Sequence, residues 1–186
     1  MNETIKTILE RRSVRRFKPE QISRADIETA VDCGLHAPSA MNTQNWHFSV
    51  VRNRDLIDEL NAKTKAALSP AFRERMLERY NGDEDFSVFY GAPTVVIVAG
   101  DGGDGYADAN CALAAENICL AAQSLGISSC IIGMAALMFS APDAGEYCSR
   151  LKIPAGYKVR YAIALGYPAM EPQKPERITG RADYFE

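Results

Sequence analysis

The chain has 186 residues, 47% of them apolar, 24% charged and 9% aromatic, the proportions of a folded globular protein and not of a disordered or fibrous one. With 21 Lys+Arg against 24 Asp+Glu the net charge is -3, which speaks against nucleic acid or an anionic membrane as a main partner, so any anion site must be local. Two histidines and five cysteines without a C-x-x-C pair exclude a multi-histidine zinc centre and a paired redox motif, so no metal is expected.

A chain of this size buries roughly 70% of its unfolded surface, and one domain over 1–186 is expected without metal or disulfide support. The start, MNETIKTILERR, lacks the apolar core of a signal peptide, and no stretch approaches the roughly 20 apolar residues of a membrane span. A cytoplasmic protein whose cysteines are free thiols is expected.

Ile5, Ile8 and Leu9 recur at helical spacing and predict a short helix from Glu3 to Arg11. The following run, Arg11 to Lys18, packs five of the 21 basic residues into eight positions. Such a run is either a solvated turn complementing the helix C-terminus or a clamp for a phosphomonoester, built from adjacent guanidinium groups and the Ser13 hydroxyl. Ser23 and Asp26 make a capping box for a second helix, with Ile27, Ala30, Val31 and Gly34 on one face as far as His36.

Ala37 to Trp46 is an amide-rich loop holding the only tryptophan. It reads either as an ordinary turn or as a set of hydrogen-bonding groups presented to the edge of a planar heterocycle. Phe48 to Val51 predicts a strand with His47 at its end. Helices follow around Leu56, Ile57 and Leu60 and after Ser69, with Pro70 at the first helical position. Tyr80, Phe86, Phe89 and Tyr90 form an aromatic group that fits either a core or a lid over a flat substrate.

Val95, Val96, Ile97 and Val98 are consecutive, so the strand from Thr94 to Ala99 is expected to be covered on both faces. The next residues, GDGGDG, match the G-x-G-x-x-G spacing of a dinucleotide fingerprint. Asp101 and Asp104 would oppose a pyrophosphate, however, and no acid follows at the ribose position, which leaves a tight turn. Tyr106 to Leu125 predicts a long helix with Glu116 as the one charge in its interior. Its apolar circumference calls for cover all round and makes a subunit interface plausible. Ser129 to Ile132 and Val159 to Leu165 predict two more strands, separated by a helix started by Ser140 and Pro142, and Tyr167 to Glu186 predicts an extended arm.

R-R-S-V-R after the first helix, A-P-S-x-x-N-x-Q-x-W, F-Y-G-A-P-T, ALAAENICLAAQSLGI and the late A-L-G-Y-P-A, in this order along the whole chain, resemble the nitroreductase-like FMN-dependent oxidoreductases. The resemblance implies an α+β fold, a central, mainly antiparallel sheet flanked by helices. It implies a homodimer with FMN at the interface and a C-terminal arm, about 167–186, extending to the partner subunit. On the matched motifs, Arg11, Arg12, Ser13 and Arg15 would hold the FMN phosphate and ribityl chain. Pro38, Ser39, Ala40, Met41, Asn42 and Gln44 would line the isoalloxazine. Ile132 and Gly133 would approach the ring from a strand end, and Lys174 and Arg177 of the arm would reach the phosphate.

Asn45 stands where many members have proline and Ala40 where many have a second serine. The chain is also short for the family, which gives the aromatic group at Tyr80 to Tyr90 the task of shaping a substrate pocket. The activity implied is reduction of a flat acceptor, such as a nitroaromatic or quinone, by NADH or NADPH through FMN in a ping-pong cycle. Such a cycle needs no side-chain nucleophile. The alternative implied by the same fold is a flavin-binding or flavin-storage protein without turnover.

Overall fold

A computed structural model describes residues 1–186. Four strands, β1 (Trp46–Val51), β2 (Thr94–Asp101), β3 (Ser128–Ile132) and β4 (Tyr157–Gly166), form one sheet in the order β1-β2-β4-β3. All three pairings are antiparallel, with Val96 opposite Val50 on one side and Ile163 on the other. Six helices surround it: α1 (Glu3–Glu10), α2 (Arg24–Leu35), α3 (Arg54–Ala66), α4 (Pro70–Arg79), α5 (Ala107–Ser124) and α6 (Ala144–Arg150). No helix is long and apolar enough to cross a membrane.

The consecutive apolar residues of β2 follow from cover on both faces. Val95, Ile97 and Ala99 join a cluster with Phe86, Val88, Phe89 and Leu60, whereas Val96 and Val98 pack with Ile118, Cys119 and Ala122 of α5 and Ile27 of α2. Every residue from Val95 to Ala99 is 1% exposed or less, and burying each branched side chain contributes about 1.5–3 kcal/mol. The α2–α5 approach depends on Gly34, where an added Cβ would sit 2.6 Å from Ile118 Cγ1.

The capping signals act as the sequence predicts. Ser23 Oγ accepts from Asp26 N–H, and Ser69 caps α4 with Pro70 as its first residue. Several expectations are corrected. Pro142 does not start α6, which begins at Ala144 after a 3-10 turn over Gly133–Ser140, because Asp143 takes the cap position without a side-chain hydrogen bond. β2 continues into Gly100 and Asp101, so the first two residues of GDGGDG are strand. In the aromatic group Phe86, Phe89 and Tyr90 are core and not a lid, while Tyr80 is half-buried beside them. Phe86 and Phe89 are 1% exposed, Tyr90 is 6% exposed, and Tyr80 leans on Phe86 at 5.8 Å between ring centroids.

Within one chain α5 is covered on one side only, leaving Ala109, Ala112 and Leu113 exposed. All of α1 is similarly uncovered, with Ile5, Ile8 and Leu9 half exposed. Beyond Gly166 there is no helix or strand, and an isolated bridge pairs Pro168 with Phe17. The arm therefore begins by lying along its own chain, not by leaving it.

Candidate functional site

The basic turn is laid against the sheet by its backbone. Val14 N–H donates to Ser129 O at 3.0 Å, and Ser13 forms a parallel bridge with Ser129. Val14 and Phe17 are thereby driven into the core, which leaves Arg15 and Arg16 facing out. Arg11 Nε donates to Glu116 Oε1 at 2.9 Å, so the lone interior charge of α5 fixes that guanidinium. Arg12 caps α1 by donating from one terminal nitrogen to Leu9 O and Arg11 O at 2.7 and 2.6 Å, and its Nε is buried without a partner. Capping and anion binding are thus not exclusive readings of the run, because one face of Arg12 serves the helix and its Nε is left over.

Two hydrogen bonds fasten the arm to this turn. Lys18 N–H donates to Tyr167 O and Ala169 N–H donates to Arg16 O, both at 2.9 Å. The arm then runs over the turn and closes a hollow of about 470 Å³ that brings together Arg11, Arg12, Ser13, Arg15, Lys174 and Arg177. No carboxylate lines it, and only Arg11 among its cations has an ion-pair partner. An assembly of guanidinium groups, an ammonium, a hydroxyl and an unpaired buried N–H suits a phosphomonoester dianion.

The loop before β1 lies apart from that hollow. Ala40–Asn42 forms a 3-10 turn, and Met41, Asn42 and Gln44 adopt φ of 51°, 54° and 46°. For Met41 and Gln44 this left-handed backbone costs about 1–2 kcal/mol each and persists only where the surroundings dictate it. They do so through α5. Asn110, 2% exposed, accepts from Ala40 N–H at 3.0 Å and donates to Asn45 Oδ1 at 3.1 Å, while Asn45 donates to Asp104. Ser39 Oγ accepts from Gln44 N–H at 3.0 Å, and the Gln44 amide donates to Asn42. Asn45, in the place of the family's proline, rigidifies the loop by hydrogen bonds in place of a ring. Pro38, Met41, Asn42 and Gln44 are left pointing outward, Met41 83% exposed.

The GDGGDG segment serves the same scaffold. Asp104 accepts from Tyr106 N–H at 2.8 Å and from Asn45, and Gly100 stands where a Cβ would meet Cys111 Sγ at 2.7 Å. Ile132 is buried at the end of β3, and the exposed Gly133 opens the turn after it with open space where a Cβ would be. Burial pushes the thiols of Cys111 and Cys119 up to about 11 and about 12, so neither supplies a thiolate at neutral pH. Sequence reasoning passed over Asn110 as the loop's anchor and Glu116 as the partner of Arg11. The signal was there, since each is a polar side chain in a helix made mostly of small and apolar residues.

The Nitroreductase family matches over residues 8–167. The chain belongs to the nitroreductase family. This nitroreductase-family chain superposes on a nitroreductase with bound FMN from Bacteroides fragilis NCTC 9343 with a TM-score of 0.90 and 34% identity, each chain covered over 100% of its length. Another nitroreductase with bound FMN, from Desulfitobacterium hafniense DCB-2, gives 0.92 at 34% identity and the same coverage. A relative from Archaeoglobus fulgidus, provisionally named as an NADH dehydrogenase/NAD(P)H nitroreductase, is 33% identical over 172 residues, which is 92% of this chain and 88% of the relative. The familial α+β fold is therefore present from end to end, and the matched residues stop where the arm begins.

Proposed function

We propose that the chain, one domain with a trailing arm, is an FMN-dependent NAD(P)H oxidoreductase. It would act in the cytoplasm as a homodimer, passing reducing equivalents to a flat acceptor such as a nitroaromatic or quinone in a ping-pong cycle. The observation that carries the reading is the meeting of Arg12, Ser13, Arg15, Lys174 and Arg177, from opposite ends of the chain, in one hollow without a carboxylate. FMN-bound relatives over the full length of the chain support FMN as the group whose phosphate those residues hold.

FMN, when bound, would supply the two-electron redox chemistry that links the nicotinamide to the acceptor. The chain's own residues bind and orient. Arg15, Lys174 and Arg177 neutralise the phosphate, and the free Nε of Arg12 and the Ser13 hydroxyl donate to it. Pro38, Ser39, Ala40, Met41, Asn42 and Gln44, held rigid from α5, would line the ring together with Ile132 and Gly133. In one chain this loop contributes nothing to the arginine hollow, as expected if each complete site combines the loop and hollow of two subunits. The exposed apolar residues of α1 and α5 favour the same dimer, and Ile178, Tyr184 and Phe185, 76–96% exposed, give the arm's end something to bury on a partner.

The deciding measurement is the visible spectrum of freshly purified protein, titrated anaerobically with NADH and with NADPH. Bleaching of a flavin absorbance is the expected result. Yellow protein that stays oxidised with both nicotinamides would mean flavin binding without turnover, and colourless protein after FMN is supplied would overturn the reading. Sedimentation checks the assembly, since a stable FMN-loaded monomer contradicts a shared site.

A further inference from the structure

A second basic hollow, about 510 Å³ in volume, adjoins the first and shares Arg15 and Met170 with it. Arg16, Arg79 and Tyr80 complete its wall, with Asn81 and Asp83 on the turn that ends α4. Asp83 is its only acid, and that carboxylate accepts from Asp85 N–H at 2.9 Å and pairs with none of the arginines. Elsewhere Arg24, Arg54, Arg73, Arg150 and Arg160 each meet a carboxylate. Here three guanidinium groups share one concavity with a single acid, Asp83, that pairs with none of them.

The walls are fixed. Arg79 donates to the hydroxyl of the buried Tyr90 at 3.0 Å, and Arg16 O accepts Ala169 N–H from the arm. Tyr80 donates to Ser87 O at 2.9 Å, and Gly82, at φ 85°, closes the helix with its N–H on Leu77 O at 2.8 Å. Arg79 in the last turn of α4 also complements the helix dipole, which accounts for one of the three cations and not for Arg15 or Arg16.

We propose that this hollow binds the adenosine 2′-phosphate of NADPH and makes the protein prefer NADPH to NADH. The inference rests on the oxidoreductase reading above. FMN carries a single phosphate, and the first hollow accommodates it, so the second needs an anion from elsewhere. The other phosphorylated participant in that reaction is the nicotinamide dinucleotide. Of its anionic groups, a terminal phosphomonoester concentrates two charges on three oxygens and matches converging guanidinium forks. The pyrophosphate, common to both nicotinamides, carries one charge on each phosphorus.

Steady-state kinetics of Arg79→Ala and Arg16→Ala with a quinone acceptor test this. Loss of one charged hydrogen bond raises KM for NADPH about ten- to a hundredfold and leaves kcat and the KM for NADH unchanged. An equal rise for both nicotinamides would assign the hollow to the pyrophosphate and overturn the proposal, as would no change. Arg16→Ala guards against a folding defect through Tyr90, because the Arg16 side chain is exposed. Calorimetric binding of adenosine 2′,5′-bisphosphate, present in the wild type and lost in both variants, reads the hollow without turnover. Colourless protein would indict the flavin reading, whereas yellow protein that fails to bind the bisphosphate indicts this inference alone.

Discussion

The two faces of the sheet and the edge where the chain's ends meet use their side chains in opposite ways. On the faces, apolar residues fill both layers, and most buried polar groups find partners inside the fold, as Ser49 does on Leu151 O at 2.6 Å and Thr94 on Gln21 at 3.0 Å. At the edge, cations stand without carboxylates, Arg12 keeps an orphaned Nε, and the nearby arm carries large apolar residues into solvent. The faces of the sheet are covered within one chain, whereas the edge and the outer sides of α1 and α5 are not. Stability is therefore concentrated in the first region, and the capacity to take up a ligand or a second subunit in the other.

The sharpest way to break that division is Phe89→Ala. It should cost about 3–5 kcal/mol in denaturant unfolding, since the ring is fully buried against β2, and a loss below 1 kcal/mol would show the core to be less dependent on this aromatic group than its burial implies. Arg15→Ala should leave unfolding unchanged while weakening FMN binding by about 1.5–3 kcal/mol, with a loss that shrinks as salt rises. Fluorescence titration at two ionic strengths measures it, and unchanged affinity at low salt would return Arg15 to the solvent.

Asn110→Ala straddles the two regions. It removes the anchor of three loop contacts and should cost about 1–3 kcal/mol of stability together with part of the flavin affinity, whereas a purely structural anchor would move stability alone. Iodoacetamide at pH 8 should spare Cys111 and Cys119 and label the partly exposed Cys33, as read by mass spectrometry of the native protein. Because burial raises those two buried thiols in the folded state, the fold holds their protons more tightly than the unfolded chain does. Their influence on stability is absent below about pH 8 and becomes destabilising as pH rises through 9 towards 11. Smallest of all, Arg24→Ala, which breaks an exposed pair with Glu28 on α2, should leave the melting temperature unaltered within error.

The elements were legible wherever a local signal decided them. The run at Val95 to Val98 announced a doubly covered strand, and Ser69 before Pro70 announced α4, because the deciding contacts lie within a few residues of the signal. The 3-10 turn after Gly133 and the start of α6 were not legible, since Pro142 can precede a helix as easily as open one. Tyr80 to Tyr90 was undecidable in the sequence for a different reason, as aromatic residues serve a core or a lid equally well and only tertiary cover tells them apart. The site divided in the same manner. Arg11 to Arg15 stood out by charge density, and the dipeptide-scale chemistry of Ser39 to Gln44 stood out by its amides. The role of Asn110, 70 residues from the Ala40 N–H that it accepts, depends on a pairing that no local pattern encodes.

The fastening of Tyr167 and Ala169 onto Arg16 and Lys18 also sets an order of events. A hollow assembled from the first twenty residues and the last twenty has about the longest loop closure that a chain of this length permits, and such contacts form late. During synthesis the turn waits unmatched until the arm emerges, so the hollow is assembled only after the sheet's last strand, β4, has been made. A chain cut between Tyr167 and Lys174 keeps all four strands and loses two of the hollow's five cations, Lys174 and Arg177.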